Sequence, residues 1–177
     1  MRRVVFYIAA SLDGYIASSD GSVDWLPALA DEDYGYAEFL ASVDTTLMGR
    51  TTYEQVLTFG EWSYPTLTNY VFTRQPPAKA HPSVGFVVED PVEFVGKLRR
   101  EAGDTIWLIG GSTLAAPLLA AGLVDELMLF VVPRLLGAGI PLWHPQEQPR
   151  ALQLLHTRTW PDGMTLLHYR LTPADIS

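Results

Sequence analysis

Cysteine is absent from the 177 residues, which removes disulfides, thiolate nucleophiles and every cysteine-ligated zinc site. Positive charge is scarce. Twelve Lys and Arg stand against 20 Asp and Glu, a formal net charge of −8. A duplex-binding surface needs a basic stripe to neutralise phosphates; none is visible, and no nucleic-acid partner is expected. An anionic ligand would have to be held by a few placed arginines and by backbone N–H groups. No stretch approaches the ~20 apolar residues of a membrane span, so no membrane partner is expected either. Arg2-Arg3 before the apolar run Val4 to Ala10 has the outline of a signal peptide. The run is short, however, and Ser11-Leu12-Asp13 offers no cleavage site, so it reads as a first strand and a cytoplasmic location is expected. The four histidines, at 81, 144, 156 and 168, are scattered. No H-E-x-x-H, G-x-S-x-G, G-x-G-x-x-G or G-x-x-x-x-G-K-[ST] pattern occurs, so neither a metal site nor a serine nucleophile is expected.

What is present is a globular balance of 48% hydrophobic and 18% charged residues, in a chain long enough to bury roughly 70% of its unfolded surface. There is no repeat, low-complexity tract or linker, and residues 1–177 read as one domain. Strands are expected at Val4 to Ala10, Thr45 to Met48, Asn69 to Thr73, Val84 to Val88, Thr105 to Ile109 and Val124 to Val132, from short runs rich in β-branched and aromatic residues. Helices are expected at Asp31 to Ser42, with Tyr36, Phe39 and Leu40 on one face, and from Thr51 to Leu57, with Thr51 and Glu54 spaced as a capping box. Two more are expected from Pro91 to Ala102 and from Ser112 to Ala121. The last would be closed by Gly122, and Pro117 would kink it or shift its start. Ser11 to Trp25 reads as a long loop, a feature that is usually functional or mobile. Leu152 to Thr159 and Thr165 to Leu171 form a hairpin through Pro161-Asp162-Gly163. This alternation indicates a three-layer α/β/α domain on a mixed, mainly parallel sheet with antiparallel edge strands.

Two strand–glycine–helix junctions stand out. Leu47-Met48-Gly49-Arg50-Thr51-Thr52 and Leu108-Ile109-Gly110-Gly111-Ser112 would each aim a helix N-terminus, with its unpaired N–H groups and partial positive charge, at a phosphate. In an open α/β sheet both would lie at the carboxyl ends of strands, where ligands bind. Arg50 could add a bidentate contact. Thr73 and Arg74 end another strand, and Arg74 could read the additional phosphate of NADPH. Ser11 and Asp13 could hydrogen-bond a polar substrate, and Trp25 could cover a planar ring; Asp13-Gly14 is equally a turn former.

Together these residues resemble the dihydrofolate-reductase-like superfamily. The match is closer to the reductase (C-terminal) domain of bacterial riboflavin-biosynthesis deaminase-reductases and its stand-alone relatives. The matching stretches are Ser11 to Ala17, Ser42 to Tyr53, Gly110 to Ser112, and Gly122 to Leu127 continuing through Pro133 to Leu136–Leu142. The resemblance implies NADPH as hydride donor, with phosphates at Gly49, Arg50, Thr51 and Thr52 and at Gly110, Gly111 and Ser112. It places the adenosine side near Thr73-Arg74, and nicotinamide and substrate beside Ser11 to Gly14. Counting back from Gly49, Asp33 stands where dihydrofolate reductases hold a substrate-contacting carboxylate, with helix capping as its alternative role. The family's deaminase half is missing from the sequence. Arg134 is the candidate for a substrate phosphate.

The expected function is NADPH-dependent reduction of a planar heterocycle, either a ribosylaminopyrimidine, as in 5-amino-6-(5-phosphoribosylamino)uracil reduction, or a pterin-like ring, as in dihydrofolate reduction. A non-catalytic nucleotide-binding protein of the same fold is the alternative. Family relatives often dimerise. The apolar strand Val124 to Val132 beside Leu135-Leu136 is expected to be mainly core, with a homodimer interface as its other use.

Overall fold

The structure is a computed structural model and describes residues 1–28, 32–145 and 149–172. Its main sheet contains β1 (Val4–Ser11), β3 (Val43–Gly49), β4 (Thr68–Phe72), β5 (Val84–Val87), β6 (Thr105–Gly110), β7 (Glu126–Val132), β9 (Leu152–Thr159) and β10 (Thr165–Leu171). The order is β5-β4-β3-β6-β1-β7-β10-β9. Every pairing from β5 to β7 is parallel, and β10 adds to β7, and β9 to β10, antiparallel. The expected hairpin is therefore present. Within this sheet antiparallel pairing is confined to that edge, since β5 at the other edge is parallel to β4.

Four helices connect the strands: α1 (Tyr36–Ala41), α2 (Arg50–Leu57), α3 (Pro91–Leu98) and α4 (Ser112–Ala120). From β1 the chain steps outward through α1, β3 and α2 to β4; from β5 it steps back through α3, β6 and α4 to β7. Right-handed crossovers in opposite directions place their helices on opposite faces. Accordingly, Phe39 of α1 and Tyr53 and Val56 of α2 pack on one face with Val5, Met48 and Trp107. Val95 and Leu98 of α3 and Leu114 and Leu118 of α4 pack on the other with Val4, Phe6, Leu47 and Leu108. A third cluster, of Trp25, Tyr34, Phe130, Val132, Trp160, Met164 and Leu166, sits under the hairpin end.

The differences from the sequence expectation are local and have physical causes. The first helix covers only Tyr36–Ala41 and starts behind Tyr34 and Gly35, whose φ values of 54° and 82° are left-handed; Asp31 lies outside the described residues. Tyr36, Phe39 and Leu40 do face the core together. The Thr51–Glu54 capping box does not form, because α2 begins one residue earlier with Gly49 as its N-cap and Glu54 pairs with Arg50 instead. Pro117 neither shifts nor ends α4, which runs past it and closes at Gly122 with φ of 68°. Within the Ser11–Trp25 loop, β2 (Tyr15–Ala17) pairs with β8 (Ile140–Pro141). The predicted strand at Val124 begins at Glu126 and is covered on both edges by β1 and β10; its buried Leu127, Phe130 and Val132 are core.

Candidate functional site

β3 and β6 are neighbours in the sheet, yet their following helices leave to opposite sides. That is the switch point at which open α/β sheets leave a crevice beyond their strand ends. Gly49 ends β3 and Gly110-Gly111 follow β6, and the two turns touch. A Cβ added to Gly49 would lie 3.7 Å from the Gly111 nitrogen. Gly110 has φ of 133°, a backbone conformation that only glycine adopts without strain, and the Gly110–Gly111 peptide bond is cis.

The helix starts at this crevice differ from that of α3. At α3 the Asp90 side chain accepts hydrogen bonds from the Val92 and Glu93 nitrogens. At α2 and α4 the N-caps are Gly49 and Gly111, and neither start has a side-chain cap. Their first N–H groups are thus left for an external acceptor, and both helices open into one cleft of about 620 Å³. The cleft collects Gly49, Arg50, Thr51, Thr52, Thr73, Arg74, Gly111 and Ser112, every predicted cofactor residue except Gly110.

The cations of the cleft differ in freedom. Arg50 is held by Glu54 (Nε to Oε1, 2.7 Å) and donates to the Gln75 carbonyl at 3.1 Å. Arg74 is exposed and has no partner among the described residues. Residues not anticipated from sequence complete the walls: Ile16, Ala17 and Gly21 from the long loop, Gln55 from α2, Glu89 and Asp90 before α3, and Ile140. Gln55 donates to the Gly21 carbonyl at 2.9 Å and so ties the loop to α2. His144, scattered in sequence, meets the Ser112 hydroxyl at 3.0 Å.

The predicted substrate residues separate from this cleft. The Ser11 hydroxyl bonds the Asp13 carboxylate at 2.6 Å and receives the Tyr15 N–H at 2.9 Å. Asp13 in turn accepts from the Leu136 and Gly137 nitrogens at 3.1 and 2.7 Å. These bonds, the Ser11 hydroxyl first, hold the Asp13 carboxyl below its ordinary pKa. Both side chains therefore fasten the β1–β2 turn to the loop after β7 and line neither cavity. Trp25 is buried in the third core cluster rather than lying over an open ring site. Arg134 is exposed and lines neither cavity. Asp33 accepts from the Gly35 and Ala37 nitrogens at 2.9 and 3.2 Å, and these bonds lower its pKa. Of its two candidate roles, the hydrogen bonds are those of a cap at the start of α1.

A second cavity, of about 180 Å³, lies on the α1 face of the sheet. Its walls are Tyr7 and Ala9 of β1, Leu26, Pro27, Tyr34, Tyr36, Phe130 of β7, and Met164. Tyr7 stacks on Phe39 with centroids 4.3 Å apart and lies 4.7 Å from Phe130. The Tyr34 hydroxyl donates to Asp162. β1 lines this cavity and pairs with β6, which ends at Gly110, and with β7, which carries Phe130. Sequence reasoning missed this cavity. Its available signal was the alternation of β1, which turns Tyr7 and Ala9 to one face, together with Tyr34-Gly35-Tyr36.

A mainly parallel eight-stranded sheet with a C-terminal antiparallel hairpin and its crevice at the β3/β6 switch has the fold of the dihydrofolate-reductase-like class. Within that class, the chain belongs to the RibD C-terminal domain family, whose model matches residues 2–166. It is 40% identical over 159 residues to the uncharacterized protein YwjB of Bacillus subtilis (strain 168), covering 89% of this chain and 91% of that one. A crystal structure assigned to riboflavin biosynthesis, from Shewanella sp. PV-4, superposes with TM-score 0.85 at 28% identity over 98% of this chain and all of the other. A deaminase/5-amino-6-(5-phosphoribosylamino)uracil reductase of Thermotoga maritima superposes with TM-score 0.73 at 19% identity; this chain covers 57% of it and shares its fold. Family membership carries a reductase-like role.

Proposed function

We propose that the chain is an NADPH-dependent reductase of a planar heterocycle. The observation that carries this reading is the pair of helix starts at Gly49 and Gly111, both without side-chain caps and opening into one cleft. The cleft fits a dinucleotide. The α2 and α4 N–H groups, with Thr51, Thr52 and Ser112, would take the phosphates. Arg74, two residues beyond β4 and without a partner among the described residues, would take the additional phosphate of NADPH. The bound cofactor supplies a hydride. The chain's own part is to hold a flat ring against β1, to keep water out, and to present a proton donor. Asp33 does not suit that last task, since an exposed carboxylate with a lowered pKa is ionised at neutral pH.

Titration with NADPH and NADH, read by quenching of tryptophan fluorescence, tests the assignment. Tighter binding of NADPH, with the preference lost in Arg74→Ala, is the expected result. Failure of both dinucleotides to bind at tens of micromolar would overturn it. Activity as 5-amino-6-(5-phosphoribosylamino)uracil reductase is one form of this proposal and reduction of a pterin-like ring is another.

A further inference from the structure

We propose that the cavity beneath α1 selects an uncharged planar ring carrying no phosphate, and that the Tyr7 hydroxyl reads a nitrogen or carbonyl on that ring. The inference deepens the ring-reductase reading and rests on it.

The chain's twelve Lys and Arg all fall among the described residues, and none lines this cavity. Its walls are aromatic and aliphatic, with tyrosine hydroxyls as the polar side-chain groups. At its margin the charge balance is unfavourable to an anion. Asp162 takes the Tyr34 hydroxyl, Asp33 acts electrostatically on Tyr7, and the nearby cation, Arg158, is already engaged. Its guanidinium lies 4.6 Å from the centre of the Trp160 ring and acts on Asp33. Two carboxylates against one occupied arginine repel a phosphate dianion, which needs free guanidinium or ammonium groups. At about 180 Å³ the space falls below the roughly 300 Å³ at which pockets for drug-sized ligands begin. It suits a small ring system, and ring faces are what stacked aromatics accept.

The hydroxyls are not equivalent. Tyr34 is committed to Asp162, and Tyr36 is coupled to Tyr64. Tyr7 has no hydrogen-bond partner for its hydroxyl among the described residues. Burial, and then Tyr36 and Asp33, push its pKa well above that of an ordinary tyrosine, so it stays a protonated donor at neutral pH. The Tyr7 hydroxyl is not one of the fully buried unpartnered side-chain atoms, so it is open to an acceptor on a ring that enters the cavity. Tyr34 holds a φ of 54°, unusual for a bulky residue, and such conformations cluster at ligand clamps.

The test uses the wild-type chain and three probes: lumazine, a small uncharged fused heterocycle followed by its own fluorescence, with uridine and uridine 5′-monophosphate as competitors. Saturable lumazine binding is expected, with the monophosphate competing no better than uridine. Tyr7→Phe should weaken lumazine about tenfold, the loss of one good hydrogen bond, with the melting temperature and NADPH affinity unchanged. Phe130→Trp, which fills the cavity, should abolish lumazine binding and spare NADPH. The proposal is overturned if lumazine does not bind, if the monophosphate competes tenfold better than uridine, or if Tyr7→Phe changes nothing. A parallel NADPH titration separates the two failures: absent NADPH binding with these ring results intact would sink the reductase reading alone.

Discussion

The glycine cleft at the β3 and β6 strand ends and the aromatic cavity against β1 are made of opposite materials. The cleft is backbone: two uncapped helix starts, two glycine turns in contact, a few hydroxyls and two arginines. The cavity is side chain: six of its eight walls are Tyr7, Tyr34, Tyr36, Phe130, Leu26 and Met164, continuous with the core clusters behind them. A region built from backbone donors can change its ligand affinity without disturbing the fold. A region built from core aromatics can do so only at a polar atom such as the Tyr7 hydroxyl, because the same rings that would hold a ligand also hold the sheet. The difference teaches where substitutions should be felt as binding and where as stability.

The largest expected effect breaks the comparison on the cavity side. Phe130→Ala removes a buried ring from β7, 4% exposed, and should cost about 3–5 kcal/mol in chemical denaturation. An unchanged midpoint would mean that the cavity walls are not core. Arg74→Ala probes the other side. It should weaken NADPH by about 1–3 kcal/mol, the range for charge-assisted bonds, while stability measured in the same way stays within about 0.5 kcal/mol. A stability loss without an affinity loss would reverse the assignment. Glu54→Ala should be smaller again. Breaking an exposed i,i+4 pair costs about 0.3–0.5 kcal/mol of stability, while releasing Arg50 should hold or improve NADPH affinity.

The smallest effect concerns pH. Asp13 and Asp162 have folded pKa values lowered by hydrogen bonds from Ser11 and Tyr34 respectively. A depressed carboxylate contributes stability that is present above its unfolded pKa, about 3.9, and is lost as pH falls through the lower folded value. Melting temperature should therefore decline below about pH 4, and Asp13→Asn should flatten part of that decline. A variant whose acid limb matched that of the wild type would show that the Ser11–Asp13–Gly137 link is not formed.

The same contrast explains what could be read in the sequence. Gly49-Arg50 and Gly110-Gly111-Ser112 are contiguous motifs whose meaning is local, so the cleft was visible before the fold. The hairpin, the parallel core and the helix start at Pro91 were visible for the same reason. The aromatic cavity draws on positions 7, 9, 26–27, 34–36, 130 and 164, and no spacing rule brings these together. Ser11 and Asp13 read as substrate groups because a Ser-x-Asp-Gly turn looks alike whether its acceptors face a ligand or, as the Asp13 carboxylate does in the structure, the nitrogens of Leu136 and Gly137. The capping box failed because Gly49 already supplied the helix start, leaving Glu54 to Arg50. Asp33 had two readings that only hydrogen-bond partners separate, and those partners are the Gly35 and Ala37 nitrogens.

The claim that cleft and cavity are two halves of one site is tested most directly by a crystal structure of the chain with NADP⁺. The account predicts the pyrophosphate against the N–H groups of α2 and α4, with the nicotinamide turned toward the cavity of Tyr7 and Phe130. A dinucleotide bound away from Gly49 and Gly111, or one whose nicotinamide points to solvent on the far side of the cleft, would contradict it.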